Sequence, residues 1–215
     1  MRHLSLVKSL SHLKQEQKHT DEVLLDAVGL TLTRGSLSEF VGGASTGRTS
    51  LALNLLAKLT ALGEVCAVID SCNSFDPCSA AVAGVVLDNL LWVRCSGDLE
   101  NAFTAADYLV QAKGFGVIWL NLGGLPKHKL KMVPRTYWYR FRTGIKETPT
   151  LFIVTGEETV AGSASNETFE MSRKDTMWSG LGRYKLLREF QLEVSPRKHY
   201  FDRTSARIRF DYSDV

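Results

Sequence analysis

A chain of 215 residues with 44% hydrophobic and 23% charged residues has enough apolar material for a full globular core, which excludes a disordered or fibrous protein. No stretch reaches the roughly 18 consecutive apolar residues of a membrane span, and the N-terminal MRHLSLVKSLSHLKQEQKH mixes apolar with polar residues instead of forming a secretory apolar block. A cytoplasmic protein without membrane contact is expected. The formal charge of +3 is unevenly spread: residues 1–126 carry 9 Lys and Arg against 12 Asp and Glu, and residues 127–215 carry 17 against 11. The basic C-terminal part suits nucleic acid or an acidic protein surface as partner, and equally a solvated basic face. Cys66, Cys72, Cys78 and Cys95 form no C-x-x-C pair, so reduced, mostly buried thiols are expected and no metal-ligand cluster.

In chain order, residues 4–18 set Leu6, Leu10 and Leu13 at helical spacing, with Val7 beside them, on an otherwise polar stretch. The stripe docks on its own domain, on a neighbouring subunit in a homo-oligomer, or on another protein. Residues 1–28 are therefore expected to form an N-terminal helix and linker, and residues 29–215 a single core domain. From Leu37 strand and helix alternate: LSEFVG as a strand, TSLALNLLAKLTALG as a helix closed by Gly63, EVCAVID as a strand, and a helix starting in FDPCSAAVAG. NLLWVRC follows as a strand, LENAFTAADYLVQAKG as a helix, GVIWLNL as a strand, PRTYWYRFRTGIKE as a helix opened by Pro134, and TPTLFIVTG as a fifth strand. The remainder is expected to be β-rich with hairpin character, in KLLREFQLEV and ARIRFDY. The fold class is α/β: a mostly parallel central sheet covered by helices on both faces, continued by antiparallel C-terminal strands.

The strand LSEFV runs into GGASTGRT, residues 42–49. The phosphate-loop pattern G-x-x-x-x-G-K-[ST] is met at Gly42, Gly47 and Thr49, with Arg48 in place of lysine. A glycine loop between a strand and a helix is where backbone N–H groups and the helix N-terminus can cradle phosphate. The candidate nucleotide-binding set is thus Gly42, Ser45, Thr46, Gly47, Arg48, Thr49 and Ser50, with Thr49 a Mg²⁺ ligand only if nucleotide binds. Arginine keeps the charge of lysine on a wider planar group.

These segments resemble the RecA family of strand-exchange ATPases. The run GLTLTRGSLSEFVGGASTGRTSLALNLLAKLTALGEVCAVID is similar to the family's first strands, phosphate loop and first core helix, and SCNSFDPCSAAVAGVVLDNLLWVRC to its next segment. GFGVIWLNL takes the place of the Walker B strand, and the similarity covers residues 29–125 best. The resemblance implies a RecA-like P-loop core and ATP with Mg²⁺ as cofactor, but three positions depart from it together. The family's water-activating glutamate, two residues after the strand-ending Asp70, is Cys72; the Walker B aspartate is Asn121; the loop lysine is Arg48. Phosphoryl transfer needs a placed metal, charge stabilisation and a positioned water, so ATP/Mg²⁺ binding is expected to be weak or absent and no catalytic residue is assigned.

The family's DNA-contacting loops follow the Walker B strand and the next strand. At the first place stand Lys127, Lys129, Lys131 and Arg135, the candidate DNA contacts, followed by Tyr137, Trp138, Tyr139 and Phe141. Trp138, Phe141 and Ile145 fall at helical spacing, so most of this aromatic content is expected in the core. At the second place, GEETVAGSASN puts Glu157 and Glu158 where a basic or neutral loop is expected. No counterpart of the family's separate C-terminal DNA-feeding domain is expected after ARIRF. This compact, altered core most resembles the ImuA accessory proteins of bacterial damage-induced mutagenesis. That implies a non-hydrolysing or weakly hydrolysing adaptor in the SOS response, assisting translesion synthesis through contacts with recombinase or a translesion polymerase complex, with Leu6, Leu10 and Leu13 as partner contacts. An active DNA-dependent ATPase of recombinase type and a SulA-like cell-division inhibitor are the alternatives.

Overall fold

The computed structural model describes residues 22–26, 28–180, 186–197 and 204–209. The expected helix over residues 4–18, with Leu6, Leu10 and Leu13, lies outside the described residues. The first described element is a small antiparallel hairpin of β1 (Glu22–Leu25) and β2 (Leu30–Thr33). β1 alternates exposed and buried residues, and Val23, Leu25 and Leu32 join the main hydrophobic core. The hairpin spans residue 28, and Val23, Leu25 and Val28 are buried in the main core.

The main sheet follows from strands that are apolar on both faces and must be covered on both. β3 (Leu37–Val41), β4 (Cys66–Asp70), β6 (Val117–Asn121) and β7 (Leu151–Gly156) are buried at every residue, and β5 (Leu90–Arg94) lies beyond β4 at one edge. β8 (Glu167–Ser179), β9 (Leu186–Pro196) and β10 (Thr204–Arg209) extend the other side. The order is β10-β9-β8-β3-β7-β6-β4-β5; β8 to β5 run parallel to their neighbours, whereas β8–β9 and β9–β10 pair antiparallel. This is the expected mostly parallel sheet with an antiparallel C-terminal continuation.

One strand was not marked by the sequence. ETFEMSRKDTMWS carries little apolar alternation, and only its first half, with Phe169 and Met171 buried, touches the core. It becomes β8 because its backbone pairs with β3 on one side and β9 on the other, with register shifts at Arg173/Asp175 and Met177/Trp178.

On one face, α1 (Arg48–Ala61) lays Leu51, Leu55, Leu56 and Leu59 on Phe40, Val68 and Trp119. The short α2 (Pro77–Val82) is capped by Asp76, whose side chain accepts from the N–H groups of Cys78 and Ser79. On the other face, α3 (Leu99–Ala112) and α5 (Arg135–Ile145) cover Ile69, Ile118, Phe152 and Val154, and α4 (Lys127–Lys131) is a single turn between β6 and α5. Trp138, Phe141 and Ile145 point inward, as their spacing predicts; Phe141 stacks on Phe152 and Phe103 meets Trp138 edge-on. Of the thiols, Cys66 and Cys95 are buried, Cys72 is half-buried and Cys78 is exposed. Burial pushes the Cys66 thiol up to about 12, which keeps it protonated and inert.

Candidate functional site

The carboxyl ends of β3, β4, β6 and β7 lie side by side, where ligands of parallel α/β sheets bind. The loop after β3 has a shape its sequence requires. A Cβ on Gly42 would sit 2.4 Å from the carbonyl oxygen of Met171 in β8 and 2.8 Å from Thr46 Oγ1, so no side chain fits. Gly42 N–H donates to the Gly156 carbonyl (3.2 Å) at the end of β7, and Thr46 Oγ1 donates to the Gly43 carbonyl (2.9 Å). Ser45 (φ 59°) and Gly47 (φ 85°) are left-handed; for serine this conformation costs on the order of 1–3 kcal/mol, a strain held by the surrounding fold. α1 then starts at Arg48 with no side-chain cap and no acid in its first turn. The positive end of a four-turn helix therefore opens into the loop, and Thr49 and Ser50 are exposed beside it.

Arg48 is partly exposed, but one end of its guanidinium turns inward. Its Nη1 is buried without a hydrogen-bond partner, and it reaches across to the end of β6: a Cβ on Gly123 would lie 3.9 Å from this nitrogen and 3.2 Å from Asn121 Oδ1. Burial pulls the guanidinium down from its ordinary value, and the charge of Glu157 acts in the opposite direction; an arginine so placed remains a cation at neutral pH.

Asn121 is the hub of a buried polar chain. Trp119 Nε1 donates to Thr155 Oγ1 (2.8 Å), which donates to Asn121 Oδ1 (3.0 Å); the same oxygen accepts from Gly123 N–H (3.1 Å), and Asn121 Nδ2 donates to Ser74 Oγ (2.9 Å). The backbone donor at Gly123 fixes which end of the amide is oxygen. Asp70, fully buried, accepts from Ser74 N–H (2.9 Å), Phe75 N–H (3.0 Å) and Trp92 Nε1 (3.3 Å), which ties β4 to the following turn and to β5. The Cys72 thiol is raised above its usual value by burial first and by Asp70 second, with Lys129 opposing. It is a protonated thiol at neutral pH and offers no base for activating water.

The residues present do not fit Mg²⁺ as the resemblance would place it. Magnesium wants six oxygen ligands at about 2.0–2.1 Å, held through carboxylates, and the position facing the loop is a neutral amide whose oxygen is already engaged twice. Among the described residues no group of three or more His, Cys, Asp and Glu side chains is arranged to hold a metal ion.

The candidate DNA contacts sit around α4. Lys127, Lys129, Lys131 and Arg135 are all exposed, but Lys127 Nζ is bound by Glu158 Oε1 at 2.5 Å, which holds the Glu158 carboxyl down and the lysine up. The ring of Tyr137 packs on Phe103 and carries the Arg140 guanidinium 4.5 Å above it, while Arg140 is also paired with Asp107. That leaves Tyr139, about half-exposed, as the accessible ring of this helix.

Two features escaped the sequence. A cleft of about 990 Å³ opens beside Gly42, lined by Glu157, Glu158, Glu170 and Glu193 together with Lys174 and Arg197; it exists because β8 and β9 bring their side chains next to the loop. Both its cations are ion-paired, Lys174 with Glu193 and Arg197 with Glu170. Glu39, in the middle of β3, is fully buried, and its Oε1 accepts from the N–H groups of both Val160 and Ala161 (2.8 Å each) while Thr168 Oγ1 donates to Oε2 (3.3 Å). A lone acid inside the apolar strand LSEFV was the available signal; its partners lie more than 120 residues away. Among the described residues no helix is long and apolar enough to cross a membrane.

A glycine loop turning from a central parallel strand into a helix, with the neighbouring strand ends grouped around it, defines a RecA-like α/β core. Residues 8–127 match the RecA N-terminal domain, and the chain belongs to that family. It is similar to protein RecA of Chloroflexus aurantiacus, 35% identical over 117 residues, and of Symbiobacterium thermophilum, 34% identical over 117 residues; each match covers 54% of this chain and 33% of the relative. Protein RecA of Laribacter hongkongensis is 40% identical over 87 residues, 40% of this chain and 24% of that one. The chain thus spans about a third or less of the length of these curated relatives. In three dimensions it resembles the RadB recombinase, with a TM-score of 0.58 over 83% of this chain and 88% of that one at 12% identity, a likeness of fold.

Proposed function

We propose that this protein is a RecA-like adaptor that binds nucleotide without effective hydrolysis and works in the bacterial DNA-damage response, in the manner of ImuA-type accessory proteins that assist translesion synthesis. The observation that carries the non-hydrolysing half is the engagement of Asn121 by Thr155, Gly123 and Ser74. With no carboxylate there, a protonated Cys72 in place of a base, and Arg48 in place of lysine, the groups that place metal, water and charge are all altered. Loss of such groups acts as a unit and costs many orders of magnitude in rate.

The adaptor half draws support from what the surface offers. The acid-dominated cleft beside the loop and the Glu158 clamp on Lys127 oppose a phosphodiester backbone, so protein contacts are the favoured role, with recombinase or a translesion polymerase complex as partners. In this reading the stripe Leu6, Leu10 and Leu13 in the segment 1–28 presents the partner-binding surface, residues 29–215 act as one core, and DNA contact is confined to Lys129, Lys131 and Arg135. The test pairs two assays on the full chain. Phosphate release from ATP, with and without single-stranded DNA, should stay at background, and pull-downs should recover recombinase or the polymerase complex. DNA-stimulated turnover would establish the recombinase-type ATPase instead; division arrest on expression without either association would favour the SulA-like role.

A further inference from the structure

The end of β6 carries a cation where a metal would be expected. Arg48 leaves the first turn of α1 and sends Nη1, buried and without a partner, to the space above Gly123, where Asn121 Oδ1 is the other neighbour. A buried guanidinium nitrogen lacking an acceptor is costly unless something accepts from it, and acceptors that suit a planar fork beside an uncapped helix start are phosphate oxygens. A magnesium ion entering the same space would meet a fixed positive charge. It would also have to take Asn121 Oδ1 away from Thr155 Oγ1 and Gly123 N–H, which it holds at 3.0 and 3.1 Å, and the Thr155 hydroxyl is in turn the acceptor for Trp119 Nε1. Metal binding would therefore disrupt a satisfied buried chain, whereas an anion would complete an unsatisfied one.

From this geometry we propose that the loop takes a nucleoside di- or triphosphate free of Mg²⁺, with the Arg48 guanidinium supplying the counter-charge that the metal supplies elsewhere. The proposal rests on the reading of the loop as a nucleotide site. Bound this way, the nucleotide is a structural ligand: its terminal phosphates are neutralised by a group anchored to the helix, and positions 72 and 121 carry a thiol and an amide in place of carboxylates. Glu157 and Glu158 line the cleft that opens beside Gly42, and their carboxylates limit the negative charge the site accepts, which favours the diphosphate over the more highly charged triphosphate.

Calorimetric titration of the full chain with ADP and with ATP, in excess Mg²⁺ and separately in EDTA, tests this. The expected result is binding in EDTA at least as tight as in Mg²⁺, with ADP the tighter ligand. Arg48→Gln should weaken the EDTA binding by about ten-fold or more, the loss expected when a charge-assisted contact to phosphate goes. Asn121→Asp should reverse the preference, making Mg²⁺ favourable by about ten-fold, and thermal stability in the absence of nucleotide shows whether each variant is folded. Binding that weakens ten-fold or more in EDTA overturns the proposal, and so does an absence of binding in both conditions. Weaker binding in EDTA leaves the adaptor reading intact; absence of binding in both conditions removes nucleotide from it, while its partner role is judged separately by phosphate release and partner recovery.

Discussion

Removing the Glu39 carboxylate tests how the loop after β7 is held. Glu39→Ala leaves the N–H groups of Val160 and Ala161 without the oxygen they share at 2.8 Å, while the Thr168 hydroxyl can turn elsewhere. Each unsatisfied buried donor costs about 1–3 kcal/mol, so the loss is about 2–6 kcal/mol. At about 2–4 °C per kcal/mol for a domain of this size, a mid-range loss of about 4 kcal/mol lowers Tm by about 8–16 °C. Glu39→Gln keeps Oε1 as the acceptor and turns its amide towards Thr168 Oγ1, which can accept; its cost should stay near 1 kcal/mol. The two variants also separate charge from geometry. Burial raises the Glu39 carboxyl above the ordinary glutamate value, more than its hydrogen bonds to Ala161, Val160 and Thr168 lower it. The folded state therefore binds this proton more tightly than the unfolded state, and the associated stability is fully present below the unfolded value and lost as pH rises through the raised folded value. Asp76, held down by its hydrogen bonds to Ser79 and Cys78, has the opposite slope, so the informative quantity is wild type minus Glu39→Gln. Urea unfolding across a pH series should show this difference falling with rising pH above the ordinary glutamate range. An Ala variant within about 1 kcal/mol of wild type, or a Gln variant as damaged as the Ala variant, would mean that Glu39 Oε1 does not hold this loop.

Three other outcomes follow from the site. Thr155→Val removes both the acceptor for Trp119 Nε1 and a donor to Asn121, and should cost about 1–3 kcal/mol by urea denaturation, with no loss if the polar chain carries nothing. Arg48→Lys, Cys72→Glu and Asn121→Asp should restore measurable phosphate release only when combined, because these groups serve one step; turnover in any single variant would contradict the assignment. Glu158→Gln releases Lys127 from its 2.5 Å ion pair and should tighten single-stranded DNA binding with a salt slope steeper by about 0.7, read from fluorescence anisotropy at several salt concentrations; an unchanged slope would place DNA away from α4.

Burial on both faces made the central strands legible: an unbroken apolar run such as VIWLN has few ways to be satisfied except inside a parallel sheet. Helix spacing likewise placed Trp138, Phe141 and Ile145 inward. The glycine loop could be read because its positions obey local sterics, with Gly42 pressed against Met171 and Gly47 left-handed. The altered chemistry was also visible as residue identities at Arg48, Cys72 and Asn121. Where those groups point was not, since the direction of the Arg48 side chain and the double engagement of Asn121 depend on Gly123, Thr155 and Ser74, which three different chain segments supply. β8 and the acid-lined cleft have the same origin, because ETFEMSRKDTMWS becomes a strand by pairing with β3 and β9 rather than by its own pattern. Local sequence determined which segments must be buried and which turn must be glycine; only the packing of distant segments decided which polar groups meet, because hydrogen bonds are satisfied by whatever neighbour the fold brings within 3 Å.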